Sequence, residues 1–141
     1  MGKILCATRG GEASFRAQDA VINLAREQGD TLVFLYVVDT QFLDYTARAV
    51  RPDVVMREME HMGEFLLVMA CERAGLQGVE ATFSVKHGSL AEALKEAAVE
   101  EEVSLVALGR PAGEESRFQL AGLEDLGLAI TEETGVETRI I

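Results

Sequence analysis

The segment Val103-Ser-Leu-Val-Ala-Leu-Gly109-Arg-Pro-Ala-Gly113 constrains the fold more than any other part of the chain. Its apolar run has the length of a strand, stops at a glycine and gives way to a Gly/Pro loop. A strand that reads as continuously apolar is covered on both faces, as happens in the parallel sheets of α/β folds. In such sheets, ligands bind in the turns that leave the carboxyl ends of the strands. The segment therefore predicts an architecture and the place on it where a ligand would be held.

The rest of the chain agrees with that architecture. Lys3–Thr8 is a short β-rich run. From Glu12 to Gln28, Phe15, Ala17, Ala20, Val21, Leu24 and Ala25 recur at helical spacing, and Gly29 is the stop signal. Thr31–Val38 is nearly all apolar, a second buried strand. After a longer connection, Pro52 and Asp53 open a helix with Val55, Met59, Met62, Leu66, Met69 and Arg73 on one spacing, and Gly75 is its expected end. Val79–Lys86 alternates apolar with polar residues, so this strand has a wet side or lies near an edge. Ser89-Leu-Ala-Glu92 has the pattern of a capping box and opens a helix to about Glu101. Gly122–Glu133 reads as the last helix and Val136–Ile141 as the last strand. Strand and helix alternate four times and a strand closes the chain. Short connections and right-handed crossovers make that a doubly wound parallel sheet.

Length and charge narrow the function. With 141 residues, 1–141 is expected to be a single domain with a proper core. A net charge of −11 argues against duplex nucleic acid, which needs a basic footprint, and against anionic membrane surfaces. No apolar run is long enough to span a bilayer. The first residues lead straight into a strand pattern, so no signal peptide is expected. Cys6 and Cys71 fall far apart, in a strand and a helix, and read as small core residues of a cytoplasmic protein. No nucleophile elbow, Walker loop or metal-ligand cluster is visible, so no catalytic or metal residue is assigned.

Four segments carry a family resemblance: Lys3-Ile-Leu-Cys-Ala-Thr-Arg-Gly10, Leu35-Tyr-Val-Val38, Val85-Lys-His-Gly-Ser-Leu-Ala-Glu-Ala-Leu94 and Val103-Ser-Leu-Val-Ala-Leu-Gly109. Along essentially its whole length the chain resembles a universal stress protein domain. The resemblance implies five parallel strands in the order 3-2-1-4-5, as in the adenine nucleotide alpha hydrolase-like folds, and a homodimer paired through the last strand. In many members ATP lies in a crevice outside the first and fourth strands. Their signature is glycine, two residues, glycine, nine residues, then glycine with serine or threonine. Carried over, the site residues are Thr8, Arg9, Val37, Gly109, Arg110, Ala112, Gly113, Gly122 and Leu123. Gly109 and Gly122 match the first and last glycines, and Val37 matches the position that lines the adenine pocket.

Three positions depart from the pattern. Ala112 stands where the middle glycine belongs, with Gly113 one position late, and a Cβ there hinders backbone approach to a phosphate. Leu123 replaces the hydroxyl residue. Arg9 replaces an aspartate that helps hold the nucleoside, exchanging an acceptor for a fixed cation. ATP binding is therefore expected to be weak or lost, and no cofactor is required. The expected function is a non-catalytic stress-response or regulatory module. The alternative is an ATP- or AMP-binding member with slow hydrolysis or a nucleotide switch. A companion expectation is a small-anion site built from Arg9, Arg110 and a helix start at Gly122. Against it stands pairing of each arginine with a carboxylate such as Glu12, Glu114 or Glu115. His87 follows the third strand and is expected to cap or to be solvated.

Overall fold

A computed structural model describes residues 2–8, 12–38, 52–110 and 116–141. In chain order it contains β1 (Lys3–Ala7), α1 (Glu12–Gln28), β2 (Thr31–Val38), α2 (Pro52–Leu76) and β3 (Ala81–His87). There follow α3 (Leu90–Glu100), β4 (Leu105–Leu108), α4 (Ser116–Thr134) and β5 (Glu137–Ile140). The five strands form one sheet in the order β3-β2-β1-β4-β5, and every neighbouring pair is parallel. The expected architecture is present.

Side-chain alternation along the strands divides the core in two. Ile4, Cys6, Leu32, Phe34, Tyr36, Leu105 and Ala107 face α1 and α2, where Val21, Ala25, Leu67 and Ala70 meet them. Leu5, Val33, Leu35, Val106 and Leu108 face α3 and α4, against Leu94, Ala97 and Ile130. Both faces of the central strands are thus covered, which explains why β1, β2 and β4 read as unbroken apolar runs. β3 is an edge strand, in keeping with its alternating sequence.

The helix ends show where the reading along the chain slips. α1 closes at Gly29, whose φ of +71° suits glycine, and the Asp30 N–H donates to the Ala25 carbonyl. α2 runs through Gly75 to Leu76 and closes at Gly78. α3 starts at Ser89, whose hydroxyl accepts from the Glu92 N–H. It ends in the same closing motif, with Glu102 in the left-handed conformation that glycine holds in α1. Val103 therefore caps α3 rather than opening β4. The largest correction concerns α4. It begins at Ser116, not at Gly122, so Gly122 and Leu123 lie inside the helix. The expected anion site loses the helix start it relied on, because amides there are bonded within the helix.

Candidate functional site

β1 and β4 are neighbours whose following helices leave to opposite faces of the sheet. That is the topological switch point, where open α/β sheets hold ligands. Pairing between the two strands ends at Cys6 and Ala107, so Thr8, Gly109 and Arg110 stand at the carboxyl edge. Arg9, Ala112 and Gly113, together with Glu114 and Glu115, lie outside the described residues.

Thr8 is 2% exposed and belongs to a polar network under α1. Its N–H donates to the Leu35 carbonyl at 2.8 Å, and its hydroxyl accepts from Gln18 Nε2 at 2.7 Å. Gln18, equally buried, accepts at Oε1 from Arg73 Nη1 of α2 at 2.8 Å. Arg73 also pairs with Asp19 and stacks on the Phe15 ring at 5.0 Å. Arginine only donates, so its contact fixes which way the Gln18 amide faces. Thr8 is thus held into the α1–α2 layer. Sequence reading missed Gln18 and Arg73. The available signal was a glutamine on the inward stripe of α1, between Ala17 and Val21.

Gly109 has a packing role. A Cβ built there lies 2.9 Å from the Ala17 Cβ, so α1 approaches the end of β4 only because the residue is glycine. The Arg110 N–H donates to the Ile141 carbonyl at 3.1 Å, tying this turn to the end of β5. The Arg110 side chain is exposed and has no carboxylate partner among the described residues. Val37 and Leu123 are half-buried and both pack on the core between the sheet and the α3–α4 layer. Gly122 is exposed, with open space around it. Thr8, Gly109 and Arg110 therefore gather at the switch point, whereas Leu123 is drawn into the core.

Other reactive groups are held elsewhere. His87 ends β3, and its Nε2 lies 2.6 Å from Glu60 Oε1 of α2. Burial pushes the Cys6 thiol up to about 12, which keeps it protonated at neutral pH. Burial also raises the Cys71 thiol. No group of His, Cys, Asp or Glu among the described residues is placed to hold a metal, and no described helix is long and apolar enough to cross a membrane. A shallow cavity of about 290 Å³ lies between α1 and α2, lined by Asp19, Asn23, Arg26, Arg73 and Gln77, on the outer surface of those helices rather than at the strand ends.

The model of the universal stress protein family matches residues 1–122. The chain belongs to the universal stress protein family. A search of curated protein sequences returned no match. Among solved structures, a universal stress protein family member from Burkholderia pseudomallei is similar at 23% identity and TM-score 0.75, over 99% of this chain and 95% of that one. A universal stress protein in complex with cAMP is similar at 19% identity and TM-score 0.67, over 99% and 96%. A family protein from Arabidopsis thaliana with AMP bound is similar at 12% identity and TM-score 0.62, over 100% and 91%. At these identities the likeness shows the fold. The family match stops at Gly122, one residue before the leucine that replaces the signature's hydroxyl.

Proposed function

We propose that the protein is a non-catalytic regulatory member of its family, in which ATP is held weakly or not at all. The observation that carries this reading is Leu123. It packs into the α3–α4 core, and its amide lies within α4. A phosphate meeting this position would find neither a hydroxyl nor a free N–H. Arg9, where many members have an aspartate, adds to the reading. The unit is taken to be one domain over 1–141, working in the cytoplasm as a homodimer paired through β5. It uses neither nucleic acid nor a membrane, and it needs no cofactor.

A second reading has its own support. One similar structure holds cAMP and another AMP. Arg110 offers an exposed guanidinium beside Gly109, suited to a single phosphate. A small anion, or a nucleoside monophosphate, is then the ligand held at the switch point. Titration calorimetry with ATP, AMP, cAMP and inorganic phosphate separates the readings. No heat with any of them supports the first reading, and binding of AMP, cAMP or phosphate without ATP supports the second. Micromolar ATP binding by the unmodified chain overturns the proposal.

A further inference from the structure

We propose that the free edge of β3 is a docking site for an extended segment of a partner protein, one that alternates apolar with basic residues and adds to the sheet as a further strand. β3 is the outermost strand on its side and, with seven residues, is longer than β5 at the other edge. The Leu32 N–H donates to the Glu80 carbonyl and the Gly88 N–H to the Val38 carbonyl, both at 3.0 Å. By the alternation of a strand, residues 80, 82, 84, 86 and 88 turn their backbone groups toward β2. Ala81, Phe83, Val85 and His87 turn theirs outward. An uncovered row of this kind is a template for pairing.

Among the described residues, nothing guards the edge. Natural edges are commonly protected by a lysine that stays in solvent. The lysine of β3, Lys86, is instead drawn back onto α3, where it pairs with Glu100 at 2.8 Å and Glu96 at 3.3 Å. An apolar surface lies beside the open backbone. Phe83, in register with the core residue Phe34, faces the α2 layer yet remains 47% exposed. The His87–Glu60 contact shows which flank of α2 faces β3. Val68, about two turns along α2 from Glu60, is 43% exposed. An added strand would bury these side chains while its backbone pairs with Phe83 and Val85.

Charge selects the occupant. Glu64 on the same flank and Glu80 at the start of β3 are exposed and have no cationic partner among the described residues. Glu96 and Glu100, on the other face, outnumber Lys86. A second copy of a chain with net charge −11 would bring acid against acid, whereas a basic segment is attracted.

The test uses the full chain and two labelled synthetic peptides, one alternating lysine with valine and one alternating glutamate with valine. Fluorescence anisotropy is expected to show binding of the lysine peptide at least tenfold tighter than that of the glutamate peptide. Hydrogen exchange is expected to slow at the Phe83 and Val85 amides. Val85→Pro removes an outward N–H without cutting the β2 ladder and should abolish binding. Phe83→Lys leaves the backbone intact, supplies the missing guard and should weaken binding at least tenfold with an unchanged melting temperature. The proposal is overturned if the lysine peptide does not bind, if both peptides bind alike, if protection appears elsewhere, or if Phe83→Lys binds like the unmodified chain. Self-association that Phe83→Lys abolishes would assign the edge to a second copy and also overturn it.

Discussion

Glu102 has a φ of 52°, a conformation that costs a residue with a Cβ about 1 kcal/mol. It is held there by the cap of α3, in which the Glu102 N–H reaches the Val99 carbonyl and the Val103 N–H the Ala98 carbonyl, both at 3.2 Å. Glu102→Gly is therefore expected to stabilise the protein by roughly 0.5–1 kcal/mol, since it also removes an acid from a helix C-terminus. Urea unfolding should show a higher midpoint at an unchanged slope. The two signature glycines are expected to respond in opposite ways. Gly109→Ala drives a Cβ against Ala17 and should cost about 1–3 kcal/mol. Gly122→Ala falls in open space inside a helix and should gain about 0.5–1 kcal/mol. If Gly109→Ala unfolds at the same urea concentration as the unmodified chain, the packing role assigned to Gly109 is wrong. That difference was not legible in the chain, where both residues appear only as motif glycines. The Ala17 contact exists only once α1 is folded back onto β4. The departures at Arg9, Ala112 and Leu123 were legible, but the burial of Leu123 gives one of them a new consequence. Restoring the family pattern with Leu123→Ser removes core side chain, so it should lower stability by roughly 1–3 kcal/mol.

At the scale of elements, the buried strands were the easiest to read, because full coverage leaves a run with no polar interruption. β2 matches its expected bounds for that reason, and α1 matches its own because apolar residues recur at helical spacing up to the Gly29 stop. The start of α4 was not legible. Its first turns offer no apolar periodicity to mark a beginning, and Gly122 looks like a boundary although it is an interior residue. In sequence, the acidic run Glu100-Glu101-Glu102 has the pattern of a solvated helix end. In the structure Glu100 answers to Lys86 on β3 and Glu101 to Lys3 on β1, so the run staples α3 to the sheet. The hydrogen bond from Lys86 pulls the Glu100 carboxyl below the usual carboxylate range, and the same bond raises the Lys86 ammonium. A depressed acid stabilises above its unfolded pKa and loses that contribution as pH falls through the folded value. Lys86→Met is therefore expected to be less stable than the unmodified chain at neutral pH, and the gap should close as pH drops below the ordinary glutamate range. Thermal melts of both proteins at neutral and acid pH check this. Raised salt should narrow the gap at neutral pH, because both carboxylates are exposed.

At the scale of the whole molecule, the described residues form a sheet with two covered faces and two edges that carry no further strand, and the edges differ in charge. β3 carries an acidic rim, whereas β5 pairs its own Glu137 with Arg139 at 3.3 Å and so is locally neutral. That difference makes β5 the edge suited to a second copy. The Ile141 N–H donates to the Leu108 carbonyl, and its own carbonyl accepts from Arg110. Residues 137, 139 and 141 therefore face β4, and Thr138 and Ile140 turn their backbone groups outward. A twofold axis at Thr138 would run two β5 strands antiparallel, setting Glu137 of each copy opposite Arg139 of the other. The edge is self-complementary in this arrangement. Light scattering at micromolar concentration is expected to give a dimer. Because each copy carries −11, moderate salt should tighten the association by screening long-range repulsion. Thr138→Pro deletes an outward N–H without touching the β4 ladder and should give a monomer with unchanged circular dichroism. Reversing a charge with Arg139→Glu should also weaken the dimer, and adding Glu137→Arg to that variant should recover much of the loss. A monomer from the unmodified chain, or a dimer indifferent to Thr138→Pro and to both charge variants, would remove β5 as the interface.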